Sequence, residues 1–265
     1  MREGAHLRVN NESTRTDARV GLILDGTNDG SVSYLGKGGS SDDIKLLDIA
    51  SSSAQARVLQ VGNTNIATEV FLNALLMGAV SPEVTLSVFN GRLSMTNGAA
   101  ILGTAEVARD GSVFDIVPGT TGFVNEVNML AGTFSNRGDM MAFGDVTVSG
   151  GQAFMGGATS YATNLNLYGG TAIVESVGLG QVTFDGGSLR ADADRVIAAD
   201  QGIRVTNIAN GGVGAVIVDS GVTVAIANAI DGDGTLAKDG LGTLILSNAN
   251  QQTGISAVVT TKTIT

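Results

Sequence analysis

The sequence predicts an all-β protein built as a parallel β-helix, and two observations lead to this fold class. The first is the alternation of apolar and polar residues on both sides of a glycine-containing turn, as in residues 146–155 and 165–174. Period-two alternation around a glycine pair is typical of a strand, a turn and a second strand. The second is the nearly constant spacing of these turns between residues 84 and 246.

Nine turns carry a glycine as their second residue, and they are Asn90-Gly91, Asp110-Gly111, Ala131-Gly132, Gly150-Gly151, Gly169-Gly170, Gly186-Gly187, Gln201-Gly202, Ser220-Gly221 and Asp239-Gly240. Successive glycines are 20, 21, 19, 19, 17, 15, 19 and 19 residues apart. We therefore predict nine or more rungs of ~19 residues, stacked because one repeat is too small to bury a core by itself.

Two arrangements fit such a repeat: a meander, in which sequence neighbours pair, and a parallel β-helix, in which equivalent strands of successive repeats pair. Composition favours the β-helix. The 265 residues include 38 Gly but only eight Phe, three Tyr and no Trp, which suits a narrow core with many tight corners. Nine rungs at about 4.8 Å each would form a rod about 40 Å long.

Charge and composition exclude several classes of function. The net charge of −10 disfavours binding to nucleic acid or to an anionic membrane. The chain has no Cys and one His, so neither disulfides nor a thiolate or zinc site is expected. No apolar run is long enough to span a membrane as a helix, and residues 1–6 lack the apolar segment of a signal peptide.

Four segments are predicted along the chain. Residues 1–17 form an entry segment or edge strand, and residues 18–83 form irregular N-terminal coils with strands near 20–24, 32–35, 44–49 and 58–61. A short capping helix is predicted at residues 68–78, where Phe71, Leu72, Leu75 and Leu76 share one helical face. Residues 84–254 form the regular solenoid, and residues 255–265 contain a C-terminal strand at 258–264.

The last rung carries a specific motif. Its residues are Gly232, Gly234, Leu236, Lys238, Gly240, Gly242, Thr243, Leu244, Leu246, Ser247, Ala249, Asn250 and Gly254. This stretch resembles the autotransporter-associated β-strand repeat of bacterial passenger domains. The resemblance implies a large exported surface protein with a right-handed parallel β-helix. Leu236, Leu244 and Leu246 are predicted to point inward, and the four glycines from 232 to 242 to allow corners with positive φ. Asn248 and Asn250 are candidates for stacked amide ladders.

The search for catalytic residues yields one candidate cluster. Asp192 and Asp194 would lie on the same side of a strand as Arg190, an arrangement able to bind or hydrolyse a glycan. The alternative is a solvated face with charge pairs, which we favour because β-helix hydrolases usually expose aromatic platforms and only Tyr34, Tyr161 and Tyr168 are present.

Other chemical sites have weaker signals. Residues 25–30 and 231–234 suggest calcium but lack the EF-hand spacing, so Asp-Gly turn chemistry is preferred. Residues 36–39 lack the ending of a phosphate-binding loop. His6 has no partner for zinc binding or a catalytic triad. We therefore expect no catalytic residue, no metal and no cofactor.

The function expected from these patterns is that of a non-enzymatic extracellular structural protein on the bacterial cell surface. It would be a β-solenoid stalk, an adhesin or a surface-fibre subunit, self-associating head to tail through its ends and its C-terminal strand. A cell-surface or glycan ligand is a further expected partner. The alternative is a carbohydrate-active or carbohydrate-binding β-helix of the tailspike, lyase or hydrolase type, with Arg190, Asp192 and Asp194 as its site.

Overall fold

The computed structural model describes most of the chain from residue 84 onward and separate strands before it. The described residues are 6–7, 21–23, 30–34, 41–44, 46–49, 57–61, 68–72, 75–77, 84–95, 99–157, 159–175, 178–208, 212–247 and 256–259. No helix among them is long and apolar enough to cross a membrane.

All regular elements in these residues are β-strands. In chain order they are β1 (His6–Leu7), β2 (Gly21–Ile23), β3 (Gly30–Tyr34), β4 (Ser41–Ile44), β5 (Leu46–Ile49), β6 (Arg57–Val61), β7 (Thr68–Leu72), β8 (Leu75–Met77), β9 (Val84–Val88), β10 (Gly91–Met95), β11 (Ala99–Val107), β12 (Val113–Ile116), β13 (Thr121–Met129), β14 (Thr133–Asn136), β15 (Asp139–Val148), β16 (Gln152–Met155), β17 (Tyr161–Leu167), β18 (Thr171–Val174), β19 (Gly178–Phe184), β20 (Ser188–Ala191), β21 (Arg195–Ile197), β22 (Ile203–Val205), β23 (Val213–Val218), β24 (Thr223–Ile226), β25 (Ile230–Gly232), β26 (Thr235–Asp239), β27 (Thr243–Leu246) and β28 (Ser256–Val259).

The strands form three parallel sheets that run along one solenoid. The first sheet has 14 strands and follows the order β1-β3-β6-β9-β11-β13-β15-β17-β19-β22-β25, with β2, β5 and β8 joined at its side. The second has 11 strands, from β4 to β28, and the third has three, β21-β24-β27. Each strand pairs with its equivalent in the next coil, as between β16 and β18. The parallel β-helix is therefore confirmed over the meander, with about seven turns instead of nine or more.

The coils change their number of strands along the chain. Near the N-terminus each coil has three strands, because β2, β5 and β8 add a short side to the first sheet. In the middle one long strand covers two sides: β11 pairs with β8 through Ala100 and with β9 from Thr104 to Val107. The register of β11 shifts between Ile101 and Thr104, a β-bulge that bends the strand around the corner. From β21 onward the third side becomes a separate sheet.

The core consists of columns of inward residues that stack coil on coil. The second sheet contributes one column, which runs through Leu93, Phe114, Phe134, Ala153, Ala172, Leu189, Val216 and Lys238. The Phe114 and Phe134 rings pack with their centroids 5.4 Å apart. All eight residues are buried. Alternation within each short strand places one residue in every two inside, so the pattern seen in the sequence is the pattern of the core.

The helix predicted at residues 68–78 is wrong, since β7 and β8 occupy this stretch. Val70 and Leu72 stand in register with Leu93 and Met95 of the next coil. The spacing that suggests a helical face also fits two short strands. Parallel neighbours on both sides, β4 and β10, supply hydrogen bonds that favour the extended conformation.

The series of nine glycine turns is corrected as well, because it joins three different corners of the solenoid. The first six turns lie between first-sheet and second-sheet strands, for example Gly169-Gly170 between β17 and β18. Ser220-Gly221 and Asp239-Gly240 instead connect the second and third sheets, and Gln201-Gly202 precedes β22. The true coil length rises to 27 residues between Ser188 and its register partner Ala215, because β21 is inserted.

The predicted N-terminal strands near 20–24, 32–35, 44–49 and 58–61 correspond to β2, β3, β4 with β5, and β6. His6 lies in β1, the terminal strand of the first sheet, as an edge strand would. The C-terminal strand is placed differently from the prediction. It is β28, which pairs with β26 of the same chain through residues 256–259, while residues 260–265 lie outside the described part.

Candidate functional site

The outer side of the first sheet carries two adjacent columns of polar residues, which we call the polar face. It extends from β11 to β19. The first column is Thr104, Glu126, Asp145, Asn164 and Gln181, and the second is Glu106, Asn128, Thr147, Asn166 and Thr183. These residues alternate with core residues such as Ala105 and Val107, so strand alternation directs them to the outer side of the sheet, where Asn166 is itself covered by its neighbours.

Hydrogen bonds along the solenoid axis fix the side chains of the polar face. Asn164 Nδ2 donates to Asp145 Oδ1 at 2.6 Å, and Asn166 Nδ2 donates to Asp145 Oδ2 at 3.3 Å. Thr104 Oγ1 likewise donates to Glu126 Oε2 at 3.3 Å in the next coil. The face thus presents ordered carboxylate, amide and hydroxyl groups. Such groups hydrogen-bond a hydroxyl-rich ligand without needing to reorganise first.

Tyr161 begins the same strand as Asn164, and one edge of its ring and its phenol oxygen lie against two glycines of the next coil. A Cβ added to Gly178 would be 2.8 Å from Tyr161 Cδ2, and one added to Gly180 would be 3.0 Å from the phenol oxygen. The phenol donates to Asp200 Oδ2 at 3.2 Å. The half-buried ring therefore occupies space that a side chain at Gly178 would need, whereas at Gly180 the backbone carbonyl of Thr163 lies closer than the phenol oxygen. Its pKa is raised above the ordinary 10.0, first by desolvation and then by the hydrogen bond and the negative charge of Asp200.

Arg190, Asp192 and Asp194 are not assembled as the sequence predicted. Arg190 is on β20, but both aspartates lie in the turn before β21 rather than on a strand. Asp192 Oδ1 accepts from Arg195 Nη2 at 2.7 Å, and Asp194 Oδ1 accepts from the backbone N–H of Thr223 at 2.7 Å. The prediction failed because the alternation of residue types from Arg190 to Asp194 continues from the strand into a turn, and in a turn alternation does not determine which way a side chain points.

Arg190 pairs instead with Asp219 of the following coil. Its Nε and Nη2 donate to the two carboxylate oxygens at 3.1 and 2.8 Å. These hydrogen bonds and the charge of Asp219 raise the pKa of the Arg190 guanidinium. The three residues of the candidate cluster are thus each engaged in contacts that hold turns or successive coils together.

The remaining candidate sites from the sequence are turns. Asp233 Oδ1 accepts the backbone N–H of Asn207 at 3.1 Å, which is turn chemistry between coils. Residues 25–29 and 36–39 lie outside the described residues, as does the proposed amide ladder of Asn248 and Asn250. Within the described ranges, no group of three or more His, Cys, Asp and Glu residues is placed to hold a metal ion.

The glycine-rich motif of the last rung is only partly explained by positive φ. Gly232 and Gly240 have φ of 122° and 78°. Gly234 and Gly242, predicted to share this property, are instead required by close packing: a Cβ at Gly234 would be 2.8 Å from Gly212 O, and one at Gly242 would be 2.5 Å from Val222 O. Of the three leucines predicted to point inward, Leu236 and Leu244 are buried, and Leu246 is partly buried against the core.

Sequence reasoning missed the placement of Tyr161 and the burial of Lys238. The signal for Tyr161 was present as two glycines, 178 and 180, in a strand that otherwise alternates. Linking them to Tyr161 requires the coil register, in which Tyr161 pairs with Gly178. Comparisons with models of protein families, with curated proteins and with solved structures give no significant match to this chain.

Proposed function

We propose that the protein is a non-enzymatic structural solenoid of the bacterial cell surface or extracellular space, acting as a stalk, an adhesin or a fibre subunit. The observation that carries this proposal is the unbroken stack of coils. From β9 up to the coil of β25, β26 and β27, every described coil is joined to the next by parallel strand pairing on at least two sides. Such a stack transmits load along its axis through many backbone hydrogen bonds, which suits a stiff spacer.

The resemblance of the last rung to the autotransporter-associated β-strand repeat supports the same proposal. The described motif residues lie in β25, β26, β27 and the corners between them, where Leu236 and Leu244 fill the core and the glycines allow coils to approach closely. These are roles in stacking rather than in chemistry. In a passenger-like protein this rung would be one of many similar rungs, and a motif that is repeated in this way serves to stack one coil on the next.

The contacts of Arg190, Asp192 and Asp194 support a role without catalysis. Each side chain is engaged with another part of the solenoid, at 2.7–2.8 Å for its shortest contact. A general acid or base must exchange protons with a substrate, and these carboxylates are instead committed to a guanidinium and to a backbone N–H. The hydrolase alternative therefore has no support from this cluster.

The ends of the solenoid support self-association. In the described residues β25, β27 and β28 pair on one side only, and so do β1 and β4 at the other end. Unpaired strand edges are templates for addition of another strand. We propose that the C-terminal end of one copy pairs with the N-terminal end of another, which would produce a head-to-tail filament.

Electron microscopy of the purified chain across a concentration series tests this function. Filaments that lengthen with concentration, with an axial repeat equal to one rod, are expected. Deleting residues 255–265 removes β28 and should abolish the filaments, whereas Thr183→Ala, on the side of the rod, should not. Monodisperse short rods at every concentration would contradict the filament, and release of reducing sugar from polysaccharides would contradict the non-enzymatic role.

A further inference from the structure

We propose that head-to-tail assembly builds one shared coil between two copies of the chain, in which β28 of one copy completes the coil begun by β1 and β2 of the next. This shared coil rests on the self-association proposed above, and it specifies which strands meet and in which register. At the C-terminal end, β28 lies outside the coil of β25, β26 and β27 and is the one described strand of its own coil. It lies on the second sheet.

The outermost coil at the N-terminal end has the complementary set of described strands. β1 pairs with β3 on the first sheet, and β2 pairs with β5 on the third side, so both lie outside the coil of β3, β4 and β5. No described strand of this outermost coil lies on the second sheet. The sheet that β28 occupies at one end is therefore the sheet that stands open at the other.

One placement of the next copy joins all three sides of the solenoid at once. Every coil follows the same chain order, from first sheet to second sheet to third side. Placing β1 on β25 therefore also brings β2 onto β27 and β4 onto β28. The terminal strands all pair in parallel with their inner neighbours, and a head-to-tail copy continues that direction, whereas two like ends would meet antiparallel.

The second column of the polar face ends in groups of opposite charge. Beyond Glu106 it continues through Ser87, Gln60 and Ser33 to His6, and beyond Thr183 through Arg204 to Asp231. Continuing this register across the junction places His6 of the next copy opposite Asp231, which is exposed. Opposite charges directly across two neighbouring strands stabilise their pairing. The column thus supplies a charge-complementary contact for a second copy of this chain.

Protonation of His6 controls the strength of this contact. At about pH 5.5 an imidazole is protonated and a carboxylate keeps its charge, so the pair with Asp231 is complete. Assembly should weaken as the pH rises through the pKa of His6. Of the other groups that face this position, Ser33 on β3 is uncharged, Arg204 lies one coil further and opposes the imidazolium, and Asp233 in the turn after β25 favours it.

The second sheet adds a contact with the same dependence on pH. Its continued register places Asp42 of the next copy opposite Val259, in the column of core positions that contains Lys238. The Lys238 ammonium group lies one coil further and donates to the carbonyls of Asp239 and Gly240. A carboxyl group at a core position is favoured in its neutral form. Acid should therefore promote this contact too, and Asp42→Asn should promote it at about pH 8.

Oxidative cross-linking of the full chain tests the register of the junction. The chain contains no Cys, so His6→Cys combined with Asp231→Cys introduces one thiol at each end. Partners on neighbouring strands are about 4.8 Å apart, within the Cα separation that a disulfide spans. Oxidised filaments should give a ladder of covalent multimers on a denaturing gel without reductant. His6→Cys with Arg204→Cys is the matched control, because Arg204 lies one coil further, about 9.6 Å away, and should give no ladder.

Sedimentation of filaments at about pH 5.5 and about pH 8 tests the charge pair. The critical concentration of the unaltered chain should be about threefold or more lower at the acidic pH. His6→Asn should reduce this difference, and His6→Asp, which places like charges opposite each other, should raise the critical concentration at both pH values. Asp42→Asn should lower it at about pH 8. Thermal unfolding of each variant checks that the solenoid is intact.

The outcomes separate the shared coil from the self-association on which it rests. Absence of filaments at every concentration and at both pH values would overturn both. Filaments that give no ladder from the pair at positions 6 and 231, or an equal ladder from the control pair at 6 and 204, would overturn the shared coil alone. A critical concentration that does not fall on acidification would also overturn the shared coil while leaving the filament.

Discussion

Lys238 is a buried amine in a column of apolar residues, and only 1% of its surface is exposed. Its register partner in the preceding coil is Val216, which is fully buried. The Nζ group donates to the backbone carbonyls of Asp239 and Gly240, at the turn into β27. The methylene stem therefore serves the core while the ammonium group satisfies two carbonyls of a tight corner, which explains a Lys inside a narrow solenoid.

Replacing Lys238 separates these two contributions. Lys238→Met keeps the buried stem but removes the donor to the two carbonyls, and should lower the free energy of unfolding by about 1–3 kcal/mol. Lys238→Ala also leaves a cavity, and should lower it by about 3–5 kcal/mol. Urea unfolding followed by circular dichroism measures both. Equal stability of Lys238→Met and the unaltered chain would show that the turn does not need this donor.

Tyr161 supplies a prediction about alkaline pH. Its pKa is raised in the folded chain, so the stabilisation from its contacts is complete below the unfolded value of 10.0 and is lost as pH rises through the higher folded pKa. Asp200→Asn removes the negative charge and should lower the Tyr161 pKa. The pKa should remain above 10.0, because desolvation is the first cause. Absorbance of tyrosinate during titration measures this shift, with Tyr161→Phe identifying the signal; superimposable curves for the two chains would contradict it.

Stacked turns are the elements that set how closely two coils approach. Between β15 and β16, and again between β17 and β18, the turn is a Gly-Gly pair. A Cβ at Gly170 would be 2.5 Å from Gly151 O of the preceding coil. Backbone lies on backbone at this corner, and no side chain of any size fits between. The glycine pairs are thus a consequence of the coil spacing as much as of turn conformation.

Three glycine substitutions distinguish close packing from backbone strain. Gly111 has φ of 82°, and a Cβ added there would meet no other atom. Gly111→Ala should therefore lower the free energy of unfolding only by the cost of placing Ala in the left-handed conformation, about 1 kcal/mol. Gly170→Ala meets the preceding turn without a positive φ, and Gly151→Ala meets the preceding turn and also has φ of 69°. Each of these two substitutions should lower the free energy of unfolding by about 3 kcal/mol or more.

Thermal unfolding of the three variants gives the order of stability. Gly111→Ala should be the most stable and Gly151→Ala the least. If Gly170→Ala proved as stable as Gly111→Ala, the turns would not be in contact across coils, and the stacking geometry would need revision.

The sequence was sufficient for the architecture, because alternation and period determine which residues face inward and which coils pair. It was insufficient where one pattern fits two structures. Phe71 and Leu75 fit a helix and two strands equally, and Asp192 and Asp194 keep a strand-like alternation inside a turn. The third sheet was also missed, since Gly202 and Gly221 have the same turn chemistry as the earlier glycines. Tyr161 needed the register between coils, which no local pattern contains.

At the scale of the molecule, the solenoid tolerates coils of different length because each coil pairs its strands only with those of its two neighbours. Register partners are 19 residues apart between Gln152 and Thr171 but 27 apart between Ser188 and Ala215. The added residues form β21 at the third side and leave the other two sheets in register. The free energy of unfolding of such a stack is close to a sum of two contributions, one from each coil and one from each interface between neighbouring coils. It does not depend on one central core.

Removing one whole coil should therefore leave a folded protein. Deleting residues 152–170 brings Thr171 to the position of its register partner Gln152, so every inner column continues. The variant should show an unchanged circular dichroism spectrum per residue and a modest loss of stability, because the interfaces that remain are native ones.

Deleting residues 152–169 provides the matched control, since it differs by a single residue. Its register is shifted by one, which turns Ala172 and Val174 outward and Thr171 and Ile173 inward over the core. We expect this variant to unfold or aggregate. Gel filtration and thermal unfolding compare the two, and equal behaviour would contradict the coil-to-coil register, because in a meander or a loosely packed chain the two deletions would differ little.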